Sequence, residues 1–409
     1  VTEQAQLTPT TRRSGLRLVP LLLGLAVLAN SAMVPLMPYL LATRVGWELW
    51  QVGLYSFAVT GATMLLNRRA SSWVDRGVSA VLLCAVGGAA QVVAGAAAAG
   101  ALQHQALLVL VVPALAAGGA TVPVFYAMGR RAAVAAGRDV TRSNSALRVA
   151  TSAGWVLGPA ASFALLGSGG AQPALWAVSG AATVAVLVLI ALRGRLDFVP
   201  PRAQSAARTP DAGGGTAPES ETRGRVRAAV ALVSLLSFAH IATTTSLPIL
   251  LVEHAGVPES GTGTVIAVKA FVEIGAILLA PWILARIGPR VTLVGCAVVA
   301  VAAYGGYLLA DGWGPALAAS VLEGGYYGLF AAVGLTWVQS ISPDRVGWTT
   351  GAYMSGIYTG VLLGSPISGL VASAWLPGIT VISMVAAALS GLLAVVARPR
   401  AGGALTPTN

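Results

Sequence analysis

Four ionisable side chains, Arg148, Lys269, Glu273 and Glu323, stand in stretches otherwise made of apolar residues. A charge at the centre of a membrane-spanning helix costs roughly 2.5 to 3.5 kcal/mol, so such residues face a protein interior or a water-filled cavity and mark routes for ions or substrates. Lys269 and Glu273 lie four apart in "VIAVKAFVEIGAILLAP", which puts both on one face of a helix. One reading is a self-neutralising pair that eases insertion. The other is a proton-coupling site, in which Glu273 takes up a proton and Lys269, or a substrate, competes for it as hydration changes. Glu323 is a second carboxylate of the same kind.

Arg148 heads "LRVATSAGWVLGP", with Thr151, Ser152 and Trp155 at i+3, i+4 and i+7. Arginine stays protonated, so its chemistry is pairing: with a substrate hydroxyl, a substrate anion, or a carboxylate on a neighbouring helix. From Glu323 runs a stripe at helical spacing through Tyr327, Phe330, Gly334 and Trp337, with Tyr326 beside it. Beginning at an intramembrane carboxylate, it is expected to face a cavity. Flat rings among hydroxyl and carboxyl groups suit a polar ligand with apolar faces, such as a sugar, a glycoside or a drug. Asn30, Gln91 and His240 are candidates for substrate hydrogen bonds or for bonds between helices. Gly154 and Gly158, followed by Pro159, allow close helix approach and a bend, the makings of a gate.

The elements that must position these groups follow from composition. The 409 residues are 56% hydrophobic and 10% charged, against about 25% charged in a soluble domain. Apolar segments near 15–42, 50–74, 78–100, 105–128, 144–167, 172–193, 227–252, 260–285, 290–310, 314–339, 346–372 and 377–397 are each long enough to span a bilayer. The expected fold is therefore an all-α membrane protein of twelve transmembrane helices. The net charge of +11 is a topology signal: with both termini in the cytoplasm, arginines crowd the inner loops and only Arg44 falls outside. Nucleic acid is not an expected partner; lipid, protons and a small molecule are. Cys84 and Cys296 sit among small residues with no metal-ligand spacing, and no cofactor is expected. Three histidines without a nucleophile, metal cluster or phosphate loop argue against an enzyme.

Residues 194–226 read as a cytoplasmic linker, rich in Pro, Gly, Ser and Arg. They separate two six-helix, pseudo-symmetric halves, 15–193 and 227–397, flanked by a disordered tail, 1–14, and a C-terminal tail, 398–409. Pro35 and Pro248 hold matching places in the halves, and a glycine-arginine turn recurs in "VDRGVS" and "ARIGPR". Parallel repeats of this kind place a substrate site between halves near the bilayer midplane.

The same residues carry a family resemblance. "WVDRGVS" loosely resembles the cytoplasmic gating motif of the major facilitator superfamily, through Asp75, Arg76 and Gly77; "GWVLGP" resembles the glycine-proline motif of its proton-exchanging exporters. "LRVATSAGWVLGP" and "VEIGAILLAPWILARIGPR" are similar to segments of the bacterial sugar efflux transporters, although Gly275 stands where proline is usual and Lys269 is outside the pattern. The resemblance implies proton-driven efflux of sugars or glycosides by a monomer in the bacterial cytoplasmic membrane. Export of a drug or natural product is the alternative.

Overall fold

The computed structural model describes residues 9–138, 140–196, 220–341 and 346–396. Among them helices dominate and no strand occurs. The chain runs α1 (Pro9–Thr43), α2 (Leu49–Asp75), α3 (Ala80–Ala101), α4 (Leu108–Gly119), α5 (Thr121–Ala135), α6 (Val140–Gly169) and α7 (Ala171–Ala191). After residues 197–219 follow α8 (Ser220–Ile249), α9 (Glu259–Leu308), α10 (Trp313–Ile341), α11 (Val346–Ala374) and α12 (Gly378–Val396). α1 begins six residues before the expected span and α8 seven before it. The rest of the expected tails and linker lies outside the described residues.

Among the described residues, eleven helical stretches are long and apolar enough to cross a membrane, with α4 and α5 together making one of them (Gln105–Ala135). The longest, α9, has 50 residues. A straight helix of that length would reach about 75 Å, more than twice the roughly 30 Å hydrocarbon thickness. It does not run straight, because Gly288 leaves the helical region at φ 75°, ψ 164°. Glycine tolerates that left-handed φ without a Cβ clash, and Pro289 starts the second arm. The expected spans 260–285 and 290–310 are these two arms.

Within residues 9–196, α1 packs on α6 and α3 on α7 and α4; within 220–396, α9 packs on α10 and α12, and α8 on α11 and α12. The two groups meet chiefly through α2–α11, α6–α9 and α1–α8. At α2–α11, a side chain at Gly53 would strike the Ser365 carbonyl and the backbone of Gly369, and the Trp50 N–H donates to Ser373 Oγ at 2.9 Å. At α6–α9, Gly263 lies against the Pro159 carbonyl and Phe163, and Gly167 against Ser260. All these residues lie toward one end of the bundle, the end that carries Arg44. Farther along α2 the seam loosens: at Gly61 an added Cβ would meet only Leu362, at 3.9 Å.

Candidate transport site

The buried charges are brought together by glycine. Gly324 and Gly328, four apart on α10, lie directly against the backbone of Lys269 and Glu273 on α9, where any side chain would collide with a carbonyl oxygen. This close approach lets Lys269 reach Glu323. Its Nζ is 2.6 Å from Glu323 Oε1 and also donates to Thr244 Oγ1 of α8 at 2.7 Å. The second Glu323 oxygen accepts from Tyr307 OH at 3.0 Å. His240 Nδ1 lies 3.2 Å from Oε1, close but not aligned as a hydrogen bond. Glu323 is fully buried and Lys269 is 5% exposed. Three helices therefore enclose one ion pair.

Lys269 thus pairs across helices, not with the neighbour one turn away. Glu273 makes no hydrogen bond or ion pair among the described residues, and it is half-buried. The i,i+4 spacing permits a pair but does not compel one. Glu323 wins because its two oxygens accept from the ammonium and from Tyr307 while Thr244 accepts from the same ammonium, and unpaired polar groups in a dry interior are costly.

The aromatic stripe is packed more tightly than its sequence implies. Tyr326, Phe330 and Trp337 are at most 2% exposed, because α8, α9 and α11 all cover α10. Tyr326 OH bonds Tyr304 OH within the core. Tyr327 alone among the stripe's rings keeps partial exposure, and His240 stacks on it with ring centroids 3.5 Å apart and planes 7° from parallel. The expected platform is reduced to that pair.

On α6, Gly154 and Gly158 face α1: their missing side chains make room for Val27, Leu28 and Ser31, and Ser31 Oγ donates to the Gly154 carbonyl at 2.8 Å. The glycine pair is thus a contact inside the first helix group, while Pro159 meets α9. Pro159, Phe163 and Gly167 form the row that touches α9. Trp155, Ser152 and Arg148 continue this row at helical spacing, past the end of the contact. Arg148 is exposed with no partner among the described residues, Trp155 is 38% exposed and Ser152 is half-buried. Thr151 departs from that row and turns to α5, with its Oγ1 3.4 Å from Tyr126 OH and donating to the Leu147 carbonyl at 2.9 Å. The Asn30 amide donates to Gln91 Oε1 at 3.3 Å, bridging α1 and α3.

At the expected gate motif, the side chain of Asp75 is outside the described residues. Arg76 is exposed at the end of α2, and Gly77 turns the chain with φ 89°. Arg131, which the sequence reading did not connect with this turn, donates from α5 to the Val74 carbonyl at 3.1 Å, a cation at a helix C-terminus. Also missed was a cluster at the opposite end. Arg44 Nη2 contacts Glu259 Oε1 and Oε2 at 2.8 and 3.0 Å, and Tyr39 OH donates to Oε1 at 2.7 Å. A first-turn acidic residue of α9 is thereby tied to the end of α1. Basic Arg44 alone in an expected outer loop was the available signal. No metal-holding group of His, Cys, Asp and Glu occurs among the described residues.

Residues 20–320 match the family model of the Major Facilitator Superfamily. The chain is 25% identical over 366 residues to sugar efflux transporter A of Escherichia coli (strain K12), covering 88% of each. To sugar efflux transporter A of Dickeya chrysanthemi it is 27% identical over 254 residues, 62% of each. Among solved structures, the nucleoside transporter NupG superposes with a TM-score of 0.75 at 16% identity, covering 93% of this chain and 98% of that one.

Proposed function

The chain belongs to the major facilitator superfamily, and from that premise we propose that it exports sugars, glycosides or sugar-containing small molecules in exchange for protons, by alternating access. The observation that carries the coupling is the contrast between two carboxylates. Glu323 is held by Lys269 and Tyr307, so it stays an ion. Glu273, half-buried and unpaired on the same helix as Lys269, is the group free to gain and lose a proton. The sugar assignment leans on the names of the relatives and on the chemistry of the α6 row: a guanidinium, a hydroxyl and an indole face suit a polyhydroxylated ring.

Counting α9 as two spans gives twelve, six before residue 196 and six after 220, and the two groups rock about their shared seam. With arginine-rich loops inside, the termini are cytoplasmic and the Arg44 end is outside. The present state is then closed outward by α2–α11, α6–α9 and the Arg44–Glu259 clamp. Substrate enters from the cytoplasm along Arg148, Ser152 and Trp155. The unit of transport is a monomer in the bacterial cytoplasmic membrane.

The test is accumulation of labelled sugars and glycosides in inside-out vesicles with an imposed proton gradient. Gradient-dependent accumulation of a sugar is expected. Uptake indifferent to the gradient removes the coupling, and uptake of apolar drugs but of no sugar moves the chain to the drug exporters.

A further inference from the structure

On the outer face of α9 and α10, away from the ion pairs, a concavity of about 760 Å³ runs between the two arms of α9 and along α10. That volume is in the range of ligand pockets, about 300 to 1,000 Å³. Its floor includes Gly275, Gly295 and Gly325, and at each an added side chain would meet open space. The rims are apolar: Leu278 is 74% exposed, and Leu279 and Val291 are both 57% exposed. In a spanning bundle this surface meets acyl chains, and the groove is deeper than flat lipid contact requires.

Charge lies beside one end of the groove. Gly275, Leu279 and Ile283 line it, and by spacing Arg286 shares their face of the first arm of α9, within one turn of the lining residues Ile283 and Ile287. Arg286 lies over the Trp282 ring, 4.0 Å from its centroid, and it has no carboxylate partner among the described residues. Trp282 is 56% exposed, as expected of an aromatic anchor at headgroup level. Across the turn at Gly288, Arg290 is occupied, donating to the Ala394 and Val395 carbonyls at the end of α12. Its charge still adds to the field there. An apolar trough with an unpaired cation beside one end matches one kind of occupant: an acyl chain carrying an anionic headgroup.

We infer that this groove is a binding site for a single anionic phospholipid, with one acyl chain over the glycine floor and the phosphate on Arg286. Neither the sugar assignment nor proton coupling enters this inference. The experiment is native mass spectrometry of the full chain in detergent, titrated separately with phosphatidylglycerol and phosphatidylcholine of identical chains. One phosphatidylglycerol should stay bound at collision energies that strip phosphatidylcholine. Arg286→Gln, a change at an exposed side chain, should weaken phosphatidylglycerol retention about fivefold, equivalent to the roughly 1 kcal/mol that one arginine contributes near a charged surface. Gly275→Leu with Gly325→Leu, which fills the floor, should abolish the retained lipid. Equal retention of both lipids, or no retained lipid on the wild-type chain, overturns the assignment. A two-chain mass that the double leucine variant loses would give the groove to a second copy and overturns it as well.

Discussion

Among the described residues, two ion pairs involve α9, and their surroundings differ in every respect that matters. Lys269–Glu323 is enclosed by α8, α9 and α10, with 6% and 0% of the two side chains exposed; Arg44–Glu259 is 45% and 28% exposed and joins one helix group to the other. A buried pair whose partner is removed leaves an uncompensated charge, at about 3 to 5 kcal/mol. An exposed pair is worth about 1 kcal/mol or less, because water solvates both ends when it breaks. The first is suited to permanence and the second to being made and broken in each cycle. Under the proposed alternating access, similar chemistry would serve architecture at one site and gating at the other.

The largest effect should come from breaking the permanent pair. Glu323→Ala strands Lys269 among Thr244 and His240, and thermal unfolding in detergent should show a loss of about 3 to 5 kcal/mol. Lys269→Met combined with Glu323→Leu should recover most of it, since an apolar pair of similar volume leaves no buried charge. If Glu323→Ala unfolds like the wild type, the contrast collapses.

Smaller in stability but large in turnover is a wedge in the seam. Gly369→Leu puts a side chain where Gly53 and the Leu49 carbonyl now sit. It should fold but fail to close the Arg44 end, lowering transport at least tenfold. A cysteine introduced in place of Ser373 would then react with an impermeant thiol reagent faster than in the Gly369 background. Equal labelling would mean that the seam does not open and close there.

The smallest effect belongs to the clamp. Arg44→Gln should shift unfolding by no more than about 1 kcal/mol and bias the two access states by up to about fivefold. Its signature is altered transport rate at unchanged stability, and a destabilisation as large as that of Glu323→Ala would erase the distinction between the pairs.

How far these roles can be read from sequence depends on range. Arg148, Lys269, Glu273 and Glu323 stand out because hydropathy exposes any charge in an apolar run. The helical architecture follows from the same runs, and the break at Gly288 from a glycine-proline step between two of them. What helical spacing offers is only the nearest neighbour on the same helix, so it proposed Lys269 with Glu273. The actual partner is 54 residues away and depends on Gly324 and Gly328 letting two backbones touch. The stripe beginning at Glu323 was visible as a stripe, but which neighbours cover it is a property of the bundle. Arg44 and Glu259 sit 215 residues apart at helix ends, where no periodicity links them. Thr151 shares a helix face with Arg148 on paper, yet its hydroxyl is taken by the Leu147 carbonyl and Tyr126.

The central claim is that Glu273 exchanges the proton while Glu323 does not. It is tested most directly by measuring two kinds of sugar uptake in the same proteoliposomes: exchange of labelled for unlabelled sugar without a gradient, and accumulation driven by a proton gradient. Glu273→Gln should keep the exchange and lose the accumulation, since substrate contacts and helix packing survive while the titrating group is gone. Accumulation that persists in Glu273→Gln at the wild-type level would contradict the account and return the proton to another group.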